Sequence, residues 1–346
     1  MEFNPIGLDG MEFIEYCGPE PAYFERVFAQ FGMTPIAEHK TKKLKLFRQG
    51  DINFVLNSEP GSFADEFRRM HGPSVCATGF RVANAQKAFE EAVKRGARPY
   101  TNDAGKAGWT MPAIYGIGDS LIYFVDKYGA SGNIYDDLFN YTVRDIQPKG
   151  KGLLIIDHLT NNVPKGEMQK WCDFYINVFN FAEKRYFDIK GKTTGLISKV
   201  MKSPCGKFSI PINEPSDSKS QIQEYLDEYK GSGIQHIALL TNDILASVGA
   251  LSKDQVGFLD RPVESYYQAL NDRVPNVKED LKKLRENAIL VDGDHDGYLL
   301  QIFTKNQFGP VFFEIIQRAG HEGFGDGNFQ ALFDAMEADQ RARGVL

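Results

Sequence analysis

The alternation of apolar and polar positions divides the chain into two stretches that read alike. Met11–Tyr16 (MEFIEY) has the two-residue period of a strand, and Pro21–Gly32 (PAYFERVFAQFG) carries its apolar residues at helical spacing. Leu153–His158 (LLIIDH) and Glu167–Phe179 (EMQKWCDFYINVF) repeat that strand–helix pair. Further on, Thr78–Val82 leads into a helix over Ala85–Arg95, and Gln235–Leu240 leads into a helix near Asp243–Leu251. Each stretch closes on a strand, Ser120–Asp126 in the first and Pro310–Gln317 in the second, with a polar linker, Tyr128–Gly152, between them. The pattern predicts an α+β fold of two tandem modules, residues 1–150 and 151–346, built from paired βαβββ units that curl into open half-barrel sheets. An amphipathic helix over Asn328–Arg343 follows the glycine-rich run GFGDGN (Gly323–Asn328) and reads as a lid. A dinucleotide loop is rejected there, because no returning strand and no acidic residue about 20 positions on are present.

Composition narrows the class without naming a chemistry. The 346 residues suggest about two domains at roughly 150 residues each. Hydrophobic residues at 42% and charged residues at 25% are globular values. Forty Lys and Arg against 46 Asp and Glu give a net charge of −6, which argues against a nucleic-acid or membrane-surface partner. The N-terminal MEFNPIGLDGMEF has no apolar core of secretory length, so no signal peptide is expected, and the apolar runs are too short to span a bilayer. Cys17, Cys76, Cys172 and Cys205 form no CxxC pair and read as free thiols of a cytoplasmic protein.

Two of the six histidines, His158 and His236, sit inside apolar strand text, where a hydrogen-bonded core histidine is the commoner finding. Glu314 changes the weighing. It interrupts a run of large apolar residues, PVFFEIIQR, and a buried carboxylate needs a positive partner. One such partner is Arg318, four residues along the strand; the other is a metal ion shared with the histidines. His158, His236 and Glu314 are equally spaced along the chain, and each lies on its own strand of the second module. Two imidazoles and one carboxylate on one face make the facial triad of non-haem Fe(II) oxygen chemistry. In the first module Thr78 stands in the place of His236 and Phe124 in that of Glu314, so one metal per chain is expected.

At these residues the chain resembles the 4-hydroxyphenylpyruvate dioxygenase family of the vicinal-oxygen-chelate superfamily. The phrases that carry the resemblance are DHLTNNVP (Asp157–Pro164), PINEP (Pro211–Pro215), KSQIQEYL (Lys219–Leu226), GIQHIALLTNDI (Gly233–Ile244), LLQIFTK (Leu299–Lys305), FFEIIQR (Phe312–Arg318) and GFGDGNFQALF (Gly323–Phe333). The resemblance implies His158, His236 and Glu314 as ligands of one Fe(II). It implies conversion of 4-hydroxyphenylpyruvate and O2 to homogentisate and CO2, by oxidative decarboxylation, ring hydroxylation and side-chain migration, in a homo-oligomer (dimer or tetramer). It also implies a polar network of Ser198, Asn213, Gln221 and Gln235 around substrate and iron. Gln235 adjoins His236, and strand neighbours point to opposite faces. Gln301, two residues before Phe303, would face the iron side. Phe312, Phe324 and Phe329, with Asn328, would hold the aromatic ring, and stacking of that kind is worth about 0.5–1.5 kcal/mol beyond area burial. Two alternatives stay open: a 4-hydroxymandelate synthase acting on the same substrate, and a non-catalytic binding protein of the same superfamily.

Overall fold

The structure is a computed structural model that describes residues 3–101, 108–190, 194–260, 262 and 264–328. Towards the C-terminus it also describes 331, 336–338, 340, 341, 343 and 344. The first sheet is made of β1 (Leu8–Cys17), β2 (Thr34–His39), β3 (Leu44–Gln49), β4 (Ile52–Asn57), β5 (Ser74–Val82), β6 (Pro99–Tyr100), β7 (Ala113–Tyr115), β8 (Leu121–Val125) and β9 (Phe139–Tyr141). The second is made of β10 (Leu153–Asn162), β11 (Ala182–Lys190), β12 (Gly195–Lys202), β13 (Ser209–Pro215), β14 (Gly233–Thr241), β15 (Leu290–Gly293), β16 (Tyr298–Phe303) and β17 (Phe312–Ala319).

The strand orders show the internal duplication. In the first sheet the order is β6-β7-β8-β5-β1-β4-β3-β2-β9, and in the second β11-β12-β13-β10-β14-β17-β16-β15. In each, the opening strands of two βαβββ units pair antiparallel at the centre, and each lies parallel to the last strand of its own unit. The sequence places the helices well: Pro21–Gln30, Ala85–Lys94, Met168–Phe179 and Ile244–Lys253 lie within two residues of the expected ends. Asn84 and Asp243 start two of them by accepting a backbone N–H with their side chains.

Three expectations need adjustment. The linker is not wholly irregular, because it contains a short helix, Ile134–Leu138, and β9, which pairs with the edge strand β2. Short, polar-flanked segments such as FNY carry too few residues for periodicity to reveal them. Phe124 does not occupy the place of Glu314. It pairs with Phe80 and packs 6.4 Å from Phe179 on the helix side of the sheet, while Tyr123 points into the barrel. A one-residue slip in the repeat alignment moves a side chain to the opposite face. The expected lid helix is helical at 331, 336–338, 340 and 341, with a 3-10 turn at Asp326–Asn328 before it; its other residues lie outside the described ones.

The helices and the sheet faces they cover form one aromatic core shared by both halves. Phe31 and Phe313 stand 4.5 Å apart by ring centroid, and Tyr16 meets Phe308 at 5.4 Å. The second sheet is thereby anchored on its outer face, which leaves its concave face free for polar side chains. No helix among the described residues is long and apolar enough to cross a membrane.

Candidate metal centre

Alternation along six strands of the second sheet lines its concave face. β12 contributes Leu196, Ser198 and Val200, β13 Pro211 and Asn213, β16 Gln301 and Phe303, and β17 Phe312 and Glu314. His158 and Thr160 come from β10, and Gln235 and His236 from β14. With Phe187, Gln221, Phe324 and Met336 they line a cavity of about 630 Å³, counting the open space at its mouth.

At its floor, one ligand atom each of His158, His236 and Glu314 lie within 4.8 Å of one another. The Glu314 carboxylate is 3.2 Å from His158 Nε2 and 3.5 Å from His236 Nε2. All three side chains are nearly removed from solvent. Register explains the convergence. On β14 and β17, His236 pairs with Phe312 and Ala238 with Glu314; across the centre, His158 pairs with Ala238 and Thr160 with His236. His158 and His236 are thus related by the internal two-fold of the sheet. The same two-fold relates Glu314 to Pro211, because His158 pairs with Ser209 on β13. Proline carries no ligand atom, so three of four equivalent positions can bind an ion and the fourth side stays open.

Each histidine is preceded by a β-bulge. The pairing skips Asp157 between Ile156 and His158, and skips Gln235 between Ile234 and His236. A bulge suspends strict alternation and lets a neighbour turn to the same side. Asp157 Oδ1 accepts from His158 Nδ1 at 2.8 Å, and Gln235 Oε1 accepts from His236 Nδ1 at 3.3 Å. The oxygens of Asp157 and Gln235 only accept, so Nδ1 donates in both rings and Nε2 faces Glu314, the atom a metal would take once it is free of a proton. Rings brace the imidazoles: Phe312 stacks on His236 at 4.9 Å, and Phe324 meets His158 edge-on at 5.2 Å.

The charges are unequal. Burial works to lower the His158 pKa, but the carboxylates of Glu314 and Asp157 outweigh it and raise it to about 9. His236 lies below its usual value, because burial prevails over the pull of Glu314. Burial opposes ionisation of Glu314 too, yet the two histidines bring its pKa down to about 2. Arg318 is not the partner of Glu314. It makes a two-pronged pair with Asp157, 2.8 Å at each oxygen, and this pair with the His158 bond holds the Asp157 carboxyl well below the carboxylate range despite its burial.

Of the other expected residues, Ser198, Asn213, Gln221, Gln235, Gln301, Phe312 and Phe324 all line the cavity. Asn213 donates to Asn162 Oδ1 at 3.1 Å, and Gln221 keeps a buried Oε1 without a hydrogen-bond partner. Asn328 sits behind the wall, donating to Gln301 Oε1 at 3.3 Å and accepting from the Tyr266 hydroxyl. Phe329 lies outside the described residues. Sequence reasoning missed Asp157, Thr160, Phe187 and Pro211. For Asp157 the signal was the dipeptide Asp-His itself, obscured by the rule that strand neighbours diverge.

The first sheet serves as a control. Its interior is filled by Phe13 stacked on Trp109 at 4.7 Å, with Tyr123 and Val125 beside them. A buried carboxylate is present there too, but Glu15 is satisfied by Asn57 at 2.6 Å and Trp109 Nε1 at 2.8 Å. Among the described residues, His158, His236 and Glu314 are the only cluster of three potential ligands.

Comparison with known proteins agrees with this architecture. Residues 3–140 match the model of the hydroxyphenylpyruvate dioxygenase N-terminal domain. Residues 155–302 match the glyoxalase/bleomycin resistance protein/dioxygenase superfamily. A 4-hydroxyphenylpyruvate dioxygenase of Legionella pneumophila (strain Corby) is 49% identical over 99% of this chain and 98% of its own length. The chain belongs to the 4-hydroxyphenylpyruvate dioxygenase family. Hemolysin VllY of Vibrio vulnificus (strain CMCP6) is 50% identical over 99% of this chain and 98% of its own length. The fold is also that of a mutant 4-hydroxymandelate synthase from Streptomyces coelicolor, with a TM-score of 0.82, 24% identity, and coverage of 96% of this chain and 99% of the other.

Proposed function

We propose that this member of the family is a non-haem Fe(II) dioxygenase that converts 4-hydroxyphenylpyruvate and O2 to homogentisate and CO2. The observation that carries the reading is the meeting of two imidazole Nε2 atoms and one carboxylate on an open-sided cavity floor. Two neutral imidazoles and a carboxylate suit a divalent iron, and one such ion per chain is the reading. Residues 151–346 form the catalytic module, and residues 1–150 a module without a metal.

The ferrous ion, when bound, supplies Lewis-acid and redox chemistry towards O2 and the substrate's own 2-oxo acid. The chain's residues do the rest. Asp157 and Gln235 hold both imidazoles in the ligating tautomer. The open side at Pro211 gives the pyruvate arm and O2 room to approach. Ser198, Asn213, Gln221 and Gln301 offer neutral donors and acceptors to the polar ends of the substrate, adding no charge to the site. Asn213 gives one N–H to Asn162 and keeps its second N–H and its carbonyl oxygen for the polar end of the substrate. Phe303, Phe312 and Phe324 hold the ring and keep water away. Four cysteines without a disulfide suit a reducing cytoplasm, and a homo-oligomer completes the reading, measurable by sedimentation.

An oxygen electrode with the Fe(II)-loaded protein and 4-hydroxyphenylpyruvate tests the assignment. Stoichiometric O2 uptake and CO2 release are expected, with a product that co-elutes with authentic homogentisate. Co-elution with the isomeric 4-hydroxymandelate would reassign the product, and absence of O2 uptake would refute a dioxygenase.

A further inference from the structure

One guanidinium joins the metal-binding floor to the loop above it. Arg318 Nε and one terminal nitrogen hold the two oxygens of Asp157, each at 2.8 Å. Its other terminal nitrogen donates to two backbone carbonyls of the glycine-rich loop, His321 O at 3.1 Å and Gly323 O at 2.6 Å. The carbon of the guanidinium lies 5.4 Å from the centroid of the Phe324 ring, which in turn meets His158. The contacts close a circuit: His158, Asp157, Arg318, the loop carbonyls, Phe324, and His158 again.

The loop is shaped for this seat. Gly325 has φ +83, a conformation that favours glycine, and a Cβ there would stand 2.0 Å from Gln301 Oε1 and push that amide aside. Arg318 uses four of its five N–H donors in this arrangement. Lysine has one ammonium on a flexible stem and cannot span a carboxylate and two carbonyls in a fixed plane.

We propose that Arg318 is a positioning residue that couples metal capture at His158 to closure of the Phe324 loop over the cavity. The proposal rests on the metal reading of the His158, His236 and Glu314 cluster. A metal on Nε2 would take the place of that atom's proton and pin the imidazole, so that Nδ1–H would hold Asp157, the guanidinium plane and the carbonyls it carries in one arrangement. The coupling is reciprocal: an ordered loop raises metal affinity by the factor that bound metal stabilises the loop.

The test compares full-length wild type, Arg318→Met and Arg318→Lys, all stripped of metal, with Co(II) as the probe. Co(II) affinity is read by competition with a chelator, and amide hydrogen exchange is read at residues 320–325 with and without Co(II). In the wild type, Co(II) should slow exchange of the loop about 5-fold or more. In Arg318→Met, affinity should fall about 10- to 100-fold, and saturating Co(II) should leave loop exchange unchanged. Arg318→Lys retains the charge beside Asp157, so it should regain part of the affinity but not the loop response. If Arg318→Met is too unstable to purify, Arg318→Lys decides alone by its loop response. A loop that still slows on Co(II) binding in either variant would overturn the coupling. Failure of the wild type to bind Co(II) would instead refute the metal reading beneath it.

Discussion

β10 and β14 are two copies of one device, and their difference is chemical rather than geometric. Each presents a histidine at the sheet's centre, each has a bulge just before it, and each turns the bulged side chain back onto Nδ1. On β10 that side chain is a carboxylate anchored by Arg318; on β14 it is an uncharged amide. The consequence is electrostatic. His158 sits between two carboxylates and its pKa rises to about 9, whereas His236 has one carboxylate neighbour and is driven down by burial. A duplicated fold thus supplies, from equivalent positions, one imidazole backed by a carboxylate and one backed by a neutral amide.

The comparison can be broken at its base. His236→Ala removes one of the paired ligands, and metal retention and turnover should both fall to background, as read by metal analysis and O2 uptake. The fold should survive, because the aromatic core lies on the other face of the sheet; circular dichroism checks this. Next, Pro211→Glu places a carboxylate at the two-fold mate of Glu314. Metal should be held at least as tightly while O2 uptake is lost, since the open side is now occupied. Full activity in this variant would show that the Pro211 side is not the one substrate uses.

The unequal histidines also predict a pH dependence. The raised pKa of His158 means that its proton occupies the ligand atom's ring at neutral pH, and metal must displace it. Chelator competition should therefore show affinity rising about tenfold per pH unit between pH 7 and 9 and levelling above 9. The sign for the metal-free fold is opposite. That proton's contribution to stability is fully present below the unfolded value near 6.5 and is lost as pH rises through about 9. His236 adds no such slope above its own, lowered value. The finest test compares the two supports directly. Asp157→Asn should weaken metal binding about 10- to 100-fold and lower the pH at which affinity levels off. Gln235→Leu should cost less than Asp157→Asn and leave the levelling pH in place. Equal effects would erase the distinction between the strands.

Much of this is legible in the amino-acid sequence. The strand–helix pairs repeat visibly, because periodicity is set locally by which face each residue must bury. Glu314 announced itself, since a carboxylate amid phenylalanines and isoleucines requires a partner. Gln301 and Phe312 followed from counting by twos along their strands. The reading failed where alternation itself fails. Aligning the repeats puts Phe124 on the wrong face by one residue, and strict alternation turns Asp157 away from the site, because a bulge is a property of two paired strands and leaves no mark on either alone.

By itself the sequence therefore determined the duplicated modules, the apolar strands and the identity of the three ligand candidates, all of which depend on local patterning and side-chain chemistry. Only the tertiary structure decided which carboxylate Arg318 satisfies, why Gln235 and His236 can share a face, and that proline fills the fourth corner of the site. Those outcomes depend on strand register, and register is fixed by contacts between residues far apart in the chain.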